Sequence, residues 1–163
     1  MSVRPYIADS IIATILEVDR FGVAFNRCYI NEPGQVSFGV KDYAPKRFVS
    51  LHHHHTWELI IIDGSSQGPA YTFFDGHWWR VDPGSGVFIP KGYPNGWSAG
   101  SDSGFKMLWV YGGSLEEAGR ILDGDTQASH AITPEEERNA PVWIGDTARS
   151  VLGSNASTQV TDS

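Results

Sequence analysis

The sequence predicts an all-β domain, a sandwich or barrel of short strands. Eighteen glycines and nine prolines punctuate a chain of 163 residues, so turns are frequent and long helices few. Between the turn signals run short segments that are alternating, β-branched or aromatic. The length suits one domain with a sizeable core.

In chain order, Asp9 is placed to cap a short helix with Ile11, Ile12, Ile15 and Leu16 as its apolar stripe, ended by Gly22. From residue 23 the period changes. Residues 23–30 are apolar-rich and stop at Asn31-Glu32-Pro33-Gly34, a turn signal. Residues 35–40 alternate, and residues 42–45 turn. Residues 48–58 form a strand that carries histidines, and residues 59–62 are fully apolar and so read as a buried strand. Residues 63–69 are a loop. Residues 70–74 and 77–81 flank Asp75-Gly76, the favoured two-residue hairpin turn. After a turn at 82–86 comes a short strand at 87–90, a loop through Trp97, and a closing strand at 105–111. Ser114-Leu115-Glu116-Glu117 has the capping-box pattern and opens a helix to about Leu122. Thr133-Pro134-Glu135-Glu136-Glu137 opens a second, with proline at the first helical position. Residues 123–143 are long for a connector and read as a lid, because Pro141-Val142-Trp143-Ile144 is an apolar patch that must dock somewhere. The expected organisation is a single domain over 1–152, with its core at about 35–111. Residues 153–163 are small and polar and read as a disordered tail.

The formal net charge is −7 and no basic block appears, which argues against nucleic acid and against an anionic membrane surface as partners. Cys28 is the only cysteine, so an intramolecular disulfide is impossible, as suits a reducing compartment. Asp9 interrupts any signal-like apolar core, and no segment approaches membrane-spanning length. A cytoplasmic location is expected.

The chemistry concentrates in Leu51-His52-His53-His54-His55-Thr56-Trp57-Glu58, followed by Leu59-Ile60-Ile61-Ile62-Asp63-Gly64. Alternate residues of a strand share a face, so His52 and His54 point one way and His53 and His55 the other. If the strand continues, Glu58 joins the first pair. Two imidazoles and a carboxylate suit one divalent ion: iron, zinc, nickel or manganese. The plain competing reading is a polar strand edge with no metal. Ligands on inward-facing positions favour a barrel with a central cavity. His77 lies beside a hairpin turn and reads as a surface residue, and His130 falls in the irregular C-terminal stretch.

Here the chain resembles the cupin superfamily. The first cupin motif carries His-x-His, then Glu three or four residues on, an apolar run and a glycine, matched by His52, His54, Glu58 and Gly64. The second is matched by Gly86-Val87-Phe88-Ile89-Pro90-Lys91-Gly92-Tyr93-Pro94-Asn95, except that Asn95 stands where the family has a metal-binding histidine. The resemblance implies a cupin-type β-barrel (double-stranded β-helix, or jelly roll), commonly a homodimer. His52, His54 and Glu58 would hold the metal, with Asn95 a weak or second-shell fourth group. It implies a small, oxygen-rich organic substrate. The two-histidine, one-carboxylate count leans toward non-haem iron dioxygenase-type chemistry, with a redox-neutral lyase or isomerase next and a non-catalytic sensing cupin as the reading from another class. Tyr93, near the barrel mouth, is the expected acid–base group beside Glu58, and Trp57, Trp97 and Trp109 are expected to line the pocket.

Overall fold

The computed structural model describes residues 26–124 and 128–143. The expected N-terminal helix and the expected tail lie outside them. Ten strands appear: β1 (Asn26–Asn31), β2 (Val36–Tyr43), β3 (Phe48–His53), β4 (Glu58–Ile62), β5 (Ala70–Phe74), β6 (His77–Val81), β7 (Gly86–Ile89), β8 (Asn95–Ala99), β9 (Phe105–Gly112) and β10 (Ile121–Leu122). Two short helices follow the main run of strands, α1 (Leu115–Ala118) and α2 (Pro134–Asn139). One sheet has the order β1-β2-β9-β4-β7 and the other β10-β3-β8-β5-β6, with every pairing antiparallel. The chain steps repeatedly from one sheet to the other, the jelly-roll arrangement of a double-stranded β-helix.

Strand alternation explains the core. Ile60 and Ile62 of β4, Val87 and Ile89 of β7, and Met107 and Trp109 of β9 point inward from the first sheet. They meet Ala70 and Phe74 of β5, Val81 of β6, and Trp97 and Ala99 of β8 from the second. Burying each large apolar side chain stabilises by about 1.5–3 kcal/mol, so this layer is what holds the sheets face to face. Among the described residues the sheets are joined by packing and not by strand pairing. The expected barrel is therefore two opposed sheets, with β1, β7, β10 and β6 as edges.

Four expectations need correcting. The histidine segment is not one strand: β3 ends at His53, residues 54–57 pass from one sheet to the other, and β4 begins at Glu58 in the opposite sheet. Residues 95–99, read as part of a loop, form the central strand β8. Its glycine and polar residues hid it, but all five are buried between β3 and β5. The helix opened by Ser114 stops at Ala118, because Gly119 takes a left-handed φ of 52° and turns the chain into β10. The C-terminal stretch is no lid. Ala128 and Ile132 pack on Tyr71, Phe73 and Trp78, Trp143 docks on Phe74 with ring centroids 5.0 Å apart, and Trp143 N–H bonds Arg80 O at 2.7 Å. Residues 128–140 form an outer layer on the β5–β6 face of the second sheet, and Trp143 joins the core beside Phe74. Ile144 lies outside the described residues.

One close approach tests the packing between strand ends. Gly104 precedes β9 opposite the end of β2, and a Cβ there would overlap the carbonyl oxygen of Tyr43. Backbone cannot yield as a side-chain tip can. Gly104→Ala is expected to destabilise by about 1–3 kcal/mol, whereas Gly64→Ala, which meets nothing within 4 Å, is expected to be near neutral. Urea denaturation of the two variants checks this.

Candidate metal centre

His52, His54 and Glu58 converge between the sheets, although they arise from three different local settings. His52 sits near the end of β3, His54 in the crossing segment and Glu58 at the first residue of β4. One ligand atom from each lies within 4.8 Å of the others. All three are buried, at 4%, 8% and 3% exposure. Buried ionisable groups demand partners, and here the partners fix both rings.

The Nδ1 of His52 bonds the carbonyl of Ser50 at 2.7 Å, and the Nδ1 of His54 bonds the carbonyl of Gly119. A carbonyl only accepts, so each Nδ1 carries the proton. Burial, the largest influence on both rings, holds His52 down to about 3 and lowers His54, so both are neutral near pH 7. Each Nε2 therefore presents a bare lone pair to the cavity. Such backbone hydrogen bonds are how metal-binding imidazoles are oriented.

Glu58 completes the set. Its Oε2 stands 3.2 Å from His54 Nε2, and both atoms are buried without a hydrogen-bond partner. Two buried acceptors facing each other need a cation or a proton between them. Burial pushes the Glu58 carboxyl up to about 8, against the opposing pull of Arg120 and Lys41. The residues fit a divalent ion: two neutral imidazole nitrogens and one carboxylate oxygen, already gathered.

The surrounding cavity is small, about 160 Å³. Val49, Met107, Trp97 and Trp109 give it apolar walls, and Lys41, Tyr43, Tyr111 and Arg120 give it polar ones. Tyr111 pairs with Glu58 in the β4–β9 register, and its ring lies 4.6 Å from that of His54. Burial and then the Glu58 charge hold its hydroxyl protonated well above its ordinary range. Burial likewise raises Tyr43.

The segment after α1 closes this end of the cavity. β10 pairs with β3, His55 N–H bonds Ala118 O at 2.7 Å, and His53 Nδ1 meets Asp123 Oδ1 at 2.7 Å. Gly119 is required twice over: besides its left-handed φ, any Cβ would press on the His55 ring. Sequence reasoning missed Arg120, Lys41, Tyr43 and Tyr111. Arg120 stands in what looked like helix, and the other three are half-polar strand residues with no motif around them.

Other expected site residues lie elsewhere. Asn95 pairs with His52 in register, but its side chain is engaged: Oδ1 accepts from Trp97 Nε1 at 2.8 Å, and Nδ2 donates to Tyr93 O at 3.3 Å. Its amide is spent within β8, on the Trp97 indole, and on the turn that precedes the strand. Tyr93 does not line the cavity. Its hydroxyl donates to Asp75 at 2.5 Å, and burial and then that contact raise it to about 12. Trp57 stacks on Phe88 at 5.8 Å and borders a different groove with Lys91, while Trp97 and Trp109 do line the cavity. His77 is exposed, as read, and His130 pairs with Glu136 at 3.2 Å, away from the centre.

Residues 35–146 match the family described as the AraC-like ligand binding domain. No curated protein matches the chain in sequence. Among solved structures, a double-stranded β-helix protein from Klebsiella pneumoniae is similar, at 16% identity over 64% of this chain and 88% of that one, with a TM-score of 0.53. A cupin-like protein from Thermotoga maritima aligns at 14% identity over 71% and 83%, with a TM-score of 0.53. A salicylate 1,2-dioxygenase from Pseudaminobacter salicylatoxidans aligns at 12% identity over 77% of this chain but only 42% of its own, with a TM-score of 0.54. At such identities the likeness is one of fold.

Two predictions follow from the site's electrostatics. The depressed His52 and His54 contribute stability that is present above about 6.5 and lost as pH falls. The raised Glu58 contributes stability that is present below 4.5 and lost as pH rises through about 8. The opposing effects overlap between 4.5 and 6.5, and from 6.5 to 8 only the carboxyl acts. Protein treated with a chelator should therefore melt at progressively lower temperature from pH 6.5 to 8, and Glu58→Gln should flatten that decline. Asn95→Ala should cost about 1–3 kcal/mol by leaving the Trp97 indole unpaired while leaving metal per chain unchanged, which melting and elemental analysis together test.

Proposed function

The chain belongs to the AraC-like ligand binding domain family of the cupin superfamily, and on that premise we propose that it is a metal-dependent enzyme acting on a small, oxygen-rich organic substrate. His52, His54 and Glu58 hold one divalent ion, iron by preference, and the reaction is of the non-haem iron dioxygenase type. The observation that carries this reading is the buried, mutually facing pair of His54 Nε2 and Glu58 Oε2, with His52 beside them. The bound ion would supply Lewis acidity and, if iron, a place for dioxygen.

The protein's own part is positioning. The Ser50 and Gly119 carbonyls hold the imidazoles in the tautomer that binds metal. Trp97, Trp109, Val49 and Met107 exclude water around the reacting centre. Of the two tyrosines that line the cavity, Tyr111, its ring against His54, takes the role first given to Tyr93. Held protonated by burial, it donates a hydrogen bond to a substrate oxygen. The same reading has the protein act as a cytoplasmic homodimer.

A second reading, a non-catalytic ligand-sensing domain, is favoured by the family itself, which is described as ligand-binding. Elemental analysis of untagged protein should find near one metal per chain, lost in His54→Ala and retained in Tyr93→Phe. A metal-free wild type would remove the enzyme proposal in favour of sensing. Turnover that persists without oxygen would move it to lyase or isomerase chemistry.

A further inference from the structure

Two cations from distant parts of the chain line the same small cavity. Lys41 comes from β2, its Nζ held 4.8 Å above the Tyr43 ring, and Arg120 comes from the segment between α1 and β10. They are close enough to act on each other and on Glu58. After burial, Arg47 and Arg120 lower Lys41, while Arg120 and Lys41 both pull Glu58 downward. Gathering like charges costs free energy. It happens here in a chain with 19 acidic and 12 basic residues and a formal charge of −7. Yet Glu58 is the only carboxylate lining the cavity among the described residues. Once a divalent ion sits on the three ligands, two fixed cations and a doubly charged ion oppose one carboxylate. The cavity is then strongly positive inside an acidic protein.

Resting on the metal reading above, the geometry points to a small organic carboxylate as the ligand, bridging the metal position and the Arg120–Lys41 pair. The guanidinium fork matches a carboxylate. The hydroxyls of Tyr43 and Tyr111 add neutral donors to the lining. Size narrows the class further. At about 160 Å³ the cavity is smaller than the roughly 300–1,000 Å³ of drug-sized ligand sites, which favours a small acid. An oxygen on the carbon next to the carboxylate, as in 2-oxo and 2-hydroxy acids, would let it chelate the ion's open positions. Arg120 and Lys41 thus choose acid over neutral analogue, and the three ligands choose a chelator.

The test uses full-length protein loaded with cobalt(II), whose visible spectrum reports on coordination without turnover. Wild type, Arg120→Gln and Lys41→Met are titrated with pyruvate and lactate and with the neutral pyruvamide and lactamide, by absorption and calorimetry. Wild type should prefer each acid to its amide by about tenfold or more, a difference of about 1.4 kcal/mol. The preference should largely vanish in Arg120→Gln and shrink in Lys41→Met, with cobalt per chain unchanged. Equal affinity for acid and amide, an acid preference that survives both substitutions, or inorganic phosphate binding as tightly as the acids would overturn the assignment. A wild type that takes up no cobalt sinks the metal reading alone. The same calorimetric titration then decides the anion site, since neither cation needs the ion.

Discussion

The centre depends on two hydrogen bonds that no motif encodes, from the Nδ1 groups of His52 and His54 to the carbonyls of Ser50 and Gly119. They set the tautomer, aim both Nε2 lone pairs inward, and make buried imidazoles tolerable in a site that would otherwise leave them unpaired. One acceptor is local to β3. The other is 65 residues away in sequence, and it is delivered only because Gly119 can turn left-handed and pass against the His55 ring. The strap of α1 and β10 is therefore part of the centre and not a connector leaving the fold.

That strap links several features that look separate along the chain. The Ser114 capping box ends a sheet and starts a helix of one turn, β10 extends the second sheet beside β3, and the Asp123 carboxylate takes the outward-facing His53. His52 and His54 face the cavity, and His53 and His55 lie against the strap. The run of four histidines thus divides between a cavity-facing pair and a pair that secures the covering segment. Arg120 lies on the same strap, so the element that orients the His54 ring also carries charge into the cavity.

Opposite charges and apolar walls divide the cavity's labour. Trp97 and Trp109 belong to the layer that joins the sheets, which makes the site's dry wall a by-product of the main core. Glu58 sits at the first position of β4, beside Tyr111 on β9, so the carboxylate is held by sheet register and not by a flexible loop. The Asn95 amide is spent inside the protein on Trp97 and Tyr93, beside the cluster of His52, His54 and Glu58.

The fold class and the gathering of His52, His54 and Glu58 were legible in the sequence, because turn residues, strand alternation and the spacing of the three are local signals. Both capping boxes and the Asp75-Gly76 hairpin were legible for the same reason. The tertiary structure decided what local pattern cannot carry. Strand β8 is polar and glycine-bearing, and only its neighbours make it central. The histidine segment looks like one strand, yet crosses between sheets, because the apolar faces of β3 and β4 must meet across a core. Lys41, Tyr43, Tyr111 and Arg120 came to one cavity through register and crossover. Tyr93, beside the second motif, was drawn to Asp75 at a hairpin tip. Local sequence determines which residue types recur on one strand face; long-range pairing determines which groups share a cavity.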